Sequence, residues 1–342
     1  NRAVLKGGKV TGSLTGGSVG ATGGNATGNF VDIEGGEVSG ATHGGFVGST
    51  GKAEENTVTL TSGTSDDLCG GSTASGNAEK NKVFVKGGTA QDVYGASSTS
   101  GTVTGNTVEI SGGTAQKVYG GKAAHGHATK NIVEVTGGAV NQIIYGGEAG
   151  GSGKAEENTV TLTNGTAGGD IYGGLASSGD SVKNTVNING GSATNKDVYG
   201  GWSTGGNATG NTVTITAGSV RNIDGGRTGS GNATGNTVNI GDGKAAYTGS
   251  ISGNINGGSS SVGGRDYTTG NKLNVYGNAT AANINNFAEI NFRFNEYVNK
   301  DATFLTLTDG NGTNLRSLSD LKLHGAHKHK GTLIQAASAI TV

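Results

Sequence analysis

Apolar and polar positions alternate in short bursts that return down the chain. The clearest burst is NTVEISGG at residues 106–113. It is an Asn, then a strand with Val108 and Ile110 on one face and Thr107 and Glu109 on the other, then a Gly pair. The phrase starts at Asn1, Asn29, Asn56, Asn81, Asn106, Asn131, Asn158, Asn184, Asn211, Asn236 and Asn271. Neighbouring anchors are 25–28 residues apart except for a last interval of 35, so one structural unit is copied end to end. Inward pairs recur as Val58/Leu60, Val83/Val85, Val133/Val135, Val160/Leu162, Val186/Ile188, Val213/Ile215 and Val238/Ile240. A second short strand ends in an apolar residue, Tyr and Gly, as at Val93-Tyr94 and Val198-Tyr199, and a polar stretch leads to the next Asn.

No unit buries its apolar face alone. Two or three aliphatic side chains supply roughly 1.5–3 kcal/mol each, against about 1–2 kcal/mol of backbone entropy for every ordered residue. Stacked in register at roughly 4.8 Å per rung, the units pair their backbone groups above and below and set Val on Val through a continuous core. The predicted fold is all-β: a parallel β-solenoid (β-helix) of about ten coils of 25–28 residues over residues 1–270, with a C-terminal β cap over residues 271–342. The anchor Asn shares the parity of the inward valines. That places Asn29, Asn56, Asn81, Asn106, Asn131, Asn158, Asn184, Asn211 and Asn236 at an inner corner, as a structural ladder of amides bonded above and below.

Composition sharpens this picture. The 70 glycines among 342 residues fall at fixed offsets beside Val and Ile and are read as corner residues that need positive φ. No proline interrupts a backbone that must donate in almost every rung. With 24 basic and 25 acidic residues well mixed, nothing attracts nucleic acid or an anionic membrane. Cys69 is the single cysteine, so no intrachain disulfide forms; it occupies the Tyr slot of its unit as a structural thiol. No apolar run approaches the roughly 20 residues of a membrane span. With no Met at residue 1 or elsewhere, the chain reads as a piece of a longer protein, with more solenoid expected before it.

Along the chain, GKAEENTVTLT occurs at residues 51–61 and again at 153–163, four units on, which points to duplication of a four-coil block. The unit from Asn236 is lengthened at about residues 244–269, where a loop is expected to leave the rod. After Asn271 glycine thins and Phe287, Phe292, Phe294 and Phe304 appear. The segment GNATAANINNFAEINFRFNEYVNKDATFLTLTDGNGTNL resembles the C-terminal end of autotransporter passenger domains, the type V secretion systems of Gram-negative bacteria. The resemblance covers about residues 271–337. It implies a right-handed β-helix ending in an autochaperone-like cap, display on the bacterial surface, and an outer-membrane β-barrel following in the parent protein.

Candidate chemistry is sparse. Tyr94, Tyr119, Tyr145, Tyr172 and Tyr199, with Trp202 just beyond, are expected to form one outward stripe that could bind sugar rings or a partner protein, or whose rings could stack on one another and stiffen the rod. His324, His327 and His329 are crowded, but Lys322, Lys328 and Lys330 flank them and the spacing matches no standard zinc pattern, so a solvated hairpin tip is expected, with no metal and no cofactor. Acid pairs occur at Glu54/Glu55, Asp66/Asp67 and Glu156/Glu157. Polysaccharide cleavage needs carboxylates converging across neighbouring rungs, and no acid is expected to recur on one column in consecutive coils. Gly179-Asp180-Ser181 is similar to the nucleophile motif of serine-protease passengers, but Val182 stands where Gly is required. Outward Thr-x-Thr pairs such as Thr57/Thr59 are broken by Lys82/Phe84 and Ile132/Glu134, which argues against an ice-binding face. Asn25, Asn207, Asn232 and Asn278 begin Asn-Ala-Thr sequons and are read as corner residues.

The expected function is non-enzymatic: adhesion or self-association through repeated columns at the bacterial cell surface, with a surface receptor (protein or glycan) or a second copy as partner, and no nucleic acid. A structural stalk that holds a distal domain is the alternative, and a polysaccharide-degrading β-helix the third.

Overall fold

The computed structural model describes residues 1–20, 23–299, 301–325 and 330–341. The chain is an all-β parallel β-solenoid of about 12 turns, with no helix among the described residues. Each rung supplies three main strands, with a further two-residue strand after the Gly turn, as at Glu37–Val38, Thr64–Ser65 and Ala139–Val140, that elsewhere merges into a neighbour, as in Thr89–Ser98. The first follows the anchor Asn, as in Lys82–Val85, Thr107–Ile110 and Ile132–Val135. The parallel register sets Val83 on Val108 on Val133, and Val85 on Ile110 on Val135, all without solvent exposure. The second strand carries the Tyr slot, as in Ile171–Ala176 and Val198–Ser203. The third is two residues long; nine copies, Ala26–Thr27 to Ala233–Thr234, form a sheet of their own.

The Asn ladder lies at the inner corner between the third strand and the next first strand. Asn106 Nδ2 donates to Asn131 Oδ1 (2.9 Å) and to the Ala78 carbonyl (3.1 Å), and the Asn106 backbone N–H donates to the same Oδ1 (3.1 Å). Its own Oδ1 accepts from the Asn81 backbone N–H (2.8 Å) and Nδ2 (3.0 Å). Both amide hydrogens and both acceptor sites are therefore used. The same amide link runs from Asn29 to Asn271, and from Asn56 onward the ladder is fully buried.

The residue before the ladder Asn is left-handed in rung after rung. Gly28, Gly105, Gly210 and Gly235 fill that corner in some rungs, and Glu55, Lys80, Lys130, Glu157 and Lys183 in others, with φ between 52° and 66°. The Tyr-Gly-Gly glycines differ from expectation, because they lie within strands rather than at corners. A Cβ on Gly120 would run into the Gly146 carbonyl of the next rung, and one on Gly121 would lie 2.6 Å from the Asn131 side-chain carbonyl carbon. Gly120 is glycine because the neighbouring backbone leaves no room, whereas the slot of Gly121, which faces the ladder amide, holds Ala96 on an adjacent rung.

Residues 271–341 keep the parallel stacking. Lys272–Val275, Glu289–Arg293 and Asp320–His324 pair in turn, as do Ala279–Ala281, Leu305–Leu307 and Ile334–Ala336. No ladder phrase follows Asn271, so counting Asn anchors gave about ten coils where the rod has about 12. Larger side chains replace the ladder here: Phe292 and Phe304 are fully buried and meet edge to face at 5.2 Å. The loop expected over residues 244–269 is shorter, since Thr248–Ile251 and Ile255–Ser260 stay in the sheet and exposed residues 261–266 leave it.

Candidate functional site

In the second strand, Val93, Val118, Ile144, Ile171 and Val198 point inward and are fully buried, so the next residue points out. Parallel register superposes those outward slots: Tyr94, Tyr119, Tyr145, Tyr172 and Tyr199 form one column. Successive ring centroids are 4.8, 5.0, 5.1 and 4.8 Å apart, with interplanar angles of 8–22°. Each stacked pair contributes about 0.5–1.5 kcal/mol beyond its buried area. The stripe is not exposed as expected. Tyr119, Tyr172 and Tyr199 are buried and the other two half-buried, because rings at rung spacing cover one another's faces. Inside the stack, no ring face is open to a sugar.

Below Tyr94 the slot holds Cys69 and then His43; above Tyr199 it holds Asp224 and Asn256. The Cys69 thiol donates to the Gly71 carbonyl (3.3 Å), and burial pushes it up to about 12, with the Asp67 charge adding to the shift. It is an inert, structural thiol. Burial also pushes His43 down, and its Nδ1 has no hydrogen-bond partner.

Three residues past the rings runs a second column: Lys122, Glu148, Leu175, Trp202 and Arg227. Lys122 Nζ lies 4.6 Å from the Tyr119 centroid. Trp202 tilts onto Tyr172 and Tyr199 at 5.7 and 5.1 Å, and the Arg227 guanidinium covers Trp202 at 4.7 Å. These cations lie over π faces and cap the aromatic cluster.

Two residues before the rings lies a column of acids that the sequence reading missed. Asp67 sits under Asp92 and Asp170 under Asp197, so carboxylates do recur on one column in consecutive rungs. The Asp92 N–H donates to Asp67 Oδ1 (3.2 Å), and the Asp197 N–H to Asp170 Oδ1 (2.9 Å). Tyr94 and Tyr199 hydroxyls donate to Asp92 and Asp197, each at 3.2 Å. The repeated Asp-Val/Ile-Tyr at 92–94, 170–172 and 197–199 was the available signal. Burial raises Asp67, with the charges of Asp92 and Asp66 adding to it. Burial acts the same way on Asp197, but the Arg221 fork (2.8 and 2.9 Å) and Asn222 outweigh it and hold that carboxyl low. These carboxylates are engaged as rung-to-rung acceptors.

Compared with known families, curated proteins and solved structures, the chain matches none.

The remaining candidates have local roles. Glu55 pairs with Lys80 (3.6 Å) and Glu157 with Lys130 (3.7 Å). Ser181 is buried; its hydroxyl donates to the Gly174 carbonyl (3.0 Å) and accepts from Asn184 (3.1 Å). Asn25, Asn207, Asn232 and Asn278 accept backbone N–H groups of the following rung through Oδ1. His324 Nε2 lies 2.8 Å from Asn291 Oδ1, whereas His327 and His329 are outside the described residues. Among the described residues, no group of three or more His, Cys, Asp or Glu could hold a metal ion.

The stack makes a pH prediction. Burial, joined by neighbouring carboxylates, raises all five phenols, Tyr145 to about 12. An unfolded Tyr ionises near pH 10. Above about pH 10 the folded chain therefore holds more protons than the unfolded one. This contribution is fully present below about pH 10 and is lost as pH rises through the folded-state values. Tyrosine Cζ chemical shifts followed with circular dichroism should show the ladder phenols ionising only as the rod unfolds. Phenolate formation near pH 10 in a folded rod would contradict this.

Proposed function

We propose that this chain is part of the passenger of a bacterial surface autotransporter, a rigid rod whose repeated outward columns make adhesive or self-associating contacts. The carrying observation is the rung repeat, linked by the Asn ladder from Asn29 to Asn271 within a rod of about 12 turns. Where the outward residue recurs, as at Thr159, Thr185, Thr212 and Thr237, a weak contact made by one rung is offered again about 4.8 Å further on, which is the condition for avidity. The resemblance of residues 271–337 to passenger ends supports display outside the cell, and the partner is a surface protein, a glycan or a second copy.

The covered tyrosine rings favour a second reading, a stalk, since they stiffen the rod without offering their faces. The repeated GKAEEN phrase allows residues 56–157 to be deleted in register, which removes four rungs and shortens the rod by about 19 Å. Displayed on a non-adherent bacterium, the shortened rod should lose adhesion or autoaggregation several-fold. Unchanged adhesion would assign the chain to the stalk role.

A further inference from the structure

Most outward lysines on this rod face an acid on a neighbouring rung, such as Lys9 with Glu37 (2.6 Å), Lys52 with Glu79 (3.3 Å) and Lys154 with Asp180 (3.4 Å). The Asn81 rung breaks that rule. Lys82 and Lys86 are exposed, and among the described residues neither has an acid within ion-pair distance. Between them Phe84 points outward, half-buried, with Lys86 Nζ 6.0 Å from its ring centroid. Lys82 opens the strand and Lys86 follows its last residue, Val85, four residues on and about 13 Å away. Glu109, in register above Phe84, bounds the patch on the next rung.

Lys82 also borders a recess of about 520 Å³ lined by Phe30, Glu55, Thr57, Lys80, Lys82 and Gly105. Phe30 is 46% exposed there. Gly105, at φ +65°, puts no side chain on a corner where Lys80 and Lys130 do on either side, which keeps the recess open. One place thus offers an open aromatic face, a hydroxyl, the Glu55 carboxylate held by Lys80, and the ammonium groups of Lys82 and Lys86, which have no ion pair among the described residues.

We infer that Lys82, Phe84, Lys86 and the adjoining recess form a binding site for an acidic, carboxylate-bearing polysaccharide. A sugar ring lies in the recess with its C–H face on Phe30 and its hydroxyls at Thr57 and Glu55. Its carboxylate meets Lys82, and the chain continues along the strand so that a further carboxylate reaches Lys86. Aromatic contact with apolar sugar faces, hydroxyl pairing and ammonium–carboxylate attraction are each weak at an exposed site, so several must act together. A second rod would have to bring the Glu109/Glu134 column, which carries no ion pair among the described residues, to these lysines, and would show as self-association of the native chain at low salt rather than as oligogalacturonate binding. The inference rests on the adhesive reading and names the ligand class for one face of it.

The rung below supplies fold-neutral replacements, since Thr57, Thr59 and Thr61 occupy the equivalent slots. The test is calorimetric titration of the whole chain with oligogalacturonate, with dextran as neutral control and dextran sulfate as general polyanion. Lys82→Thr or Lys86→Thr should weaken oligogalacturonate binding at least fivefold. Phe84→Thr should weaken it at unchanged charge, and the triple variant should abolish it. No binding by the native chain, binding that survives the triple variant, or dextran sulfate binding as tightly with no effect of Phe84→Thr, would overturn the site. Cell adhesion separates the two readings. Adhesion that depends on rung number while oligogalacturonate never binds removes this site and leaves the rod reading; adhesion that persists in a triple variant unable to bind leaves the site and removes its adhesive role.

Discussion

Asn131→Ala should destabilise the rod by about 3–5 kcal/mol. The substitution strips the acceptor from two buried donors, the Asn106 backbone N–H and Nδ2. It also removes the Nδ2 donor that reaches Asn158 Oδ1 and the Val103 carbonyl, while the backbone N–H of residue 131 still donates to Asn158 Oδ1. Each buried group left unpaired costs about 1–3 kcal/mol. Asn131→Asp is the sharper variant. It keeps the acceptor that Asn106 uses but loses the amide donor, and it sets a buried carboxylate against the oxygens of Asn158 and Val103. The destabilisation should be large at neutral pH and partly relieved in acid, where the protonated acid can donate. Urea unfolding measures the loss. Because rungs contact only their neighbours, hydrogen exchange should place the weakening in the rungs of Asn106 to Asn158. Thr107→Ala, one residue past the ladder on the outer face, should change stability by no more than about 0.5 kcal/mol.

Gly120→Ala should cost about 3 kcal/mol, whereas Gly121→Ala, next to it, should cost about 1 kcal/mol or less. A methyl on Gly120 meets the backbone carbonyl of Gly146 and lies 3.1 Å from the Asn131 Cβ, and neither can move without parting two rungs. Parting them would also lengthen the 5.0 Å stack of Tyr119 on Tyr145. The Gly121 slot is different: its neighbour is a side-chain amide, and the chain itself places the fully buried Ala96 in that slot on an adjacent rung. Urea midpoints of the two variants give the comparison. Equal costs would mean that the rungs are not as close at Gly120 as the stacked register requires.

The ladder was legible because one parity argument suffices: an Asn in phase with buried valines has to satisfy its amide inside the coil, and the Asn of the next rung is in reach; the second bond of each amide, to a backbone carbonyl such as that of Ala78, was not. The tyrosine column was legible as a column but not in its exposure. Alternation gives the direction of a side chain, while the cover on Tyr119 or Tyr172 comes from rings one rung away. The Asp column escaped because acids were sought as adjacent pairs, whereas Asp67 and Asp92 lie 25 residues apart and meet only when the rungs stack. Glycine was assigned one cause where there are two: left-handed corners at Gly105 or Gly210, and tight backbone approach at Gly120. The last turns were undercounted because Phe292, Phe304 and Leu305 take over the core that the Asn phrase had marked. What the rod touches is harder to read, since the outer column changes from Thr57 to Lys82, Thr107 and Ile132 while the inner one stays aliphatic.

The most direct test of in-register stacking is a pair of nitroxide labels on one outward column. Thr57 and Thr159 stand four rungs apart, and Thr57 and Thr237 seven. Cys69, buried with its thiol pushed up to about 12, should not compete for the label in the folded chain. Electron spin dipolar spectroscopy should give single narrow distances of about 19 Å and about 34 Å, in proportion to rung number. A broad distribution, or two distances that do not scale with the number of rungs between the labels, would contradict a continuous parallel solenoid.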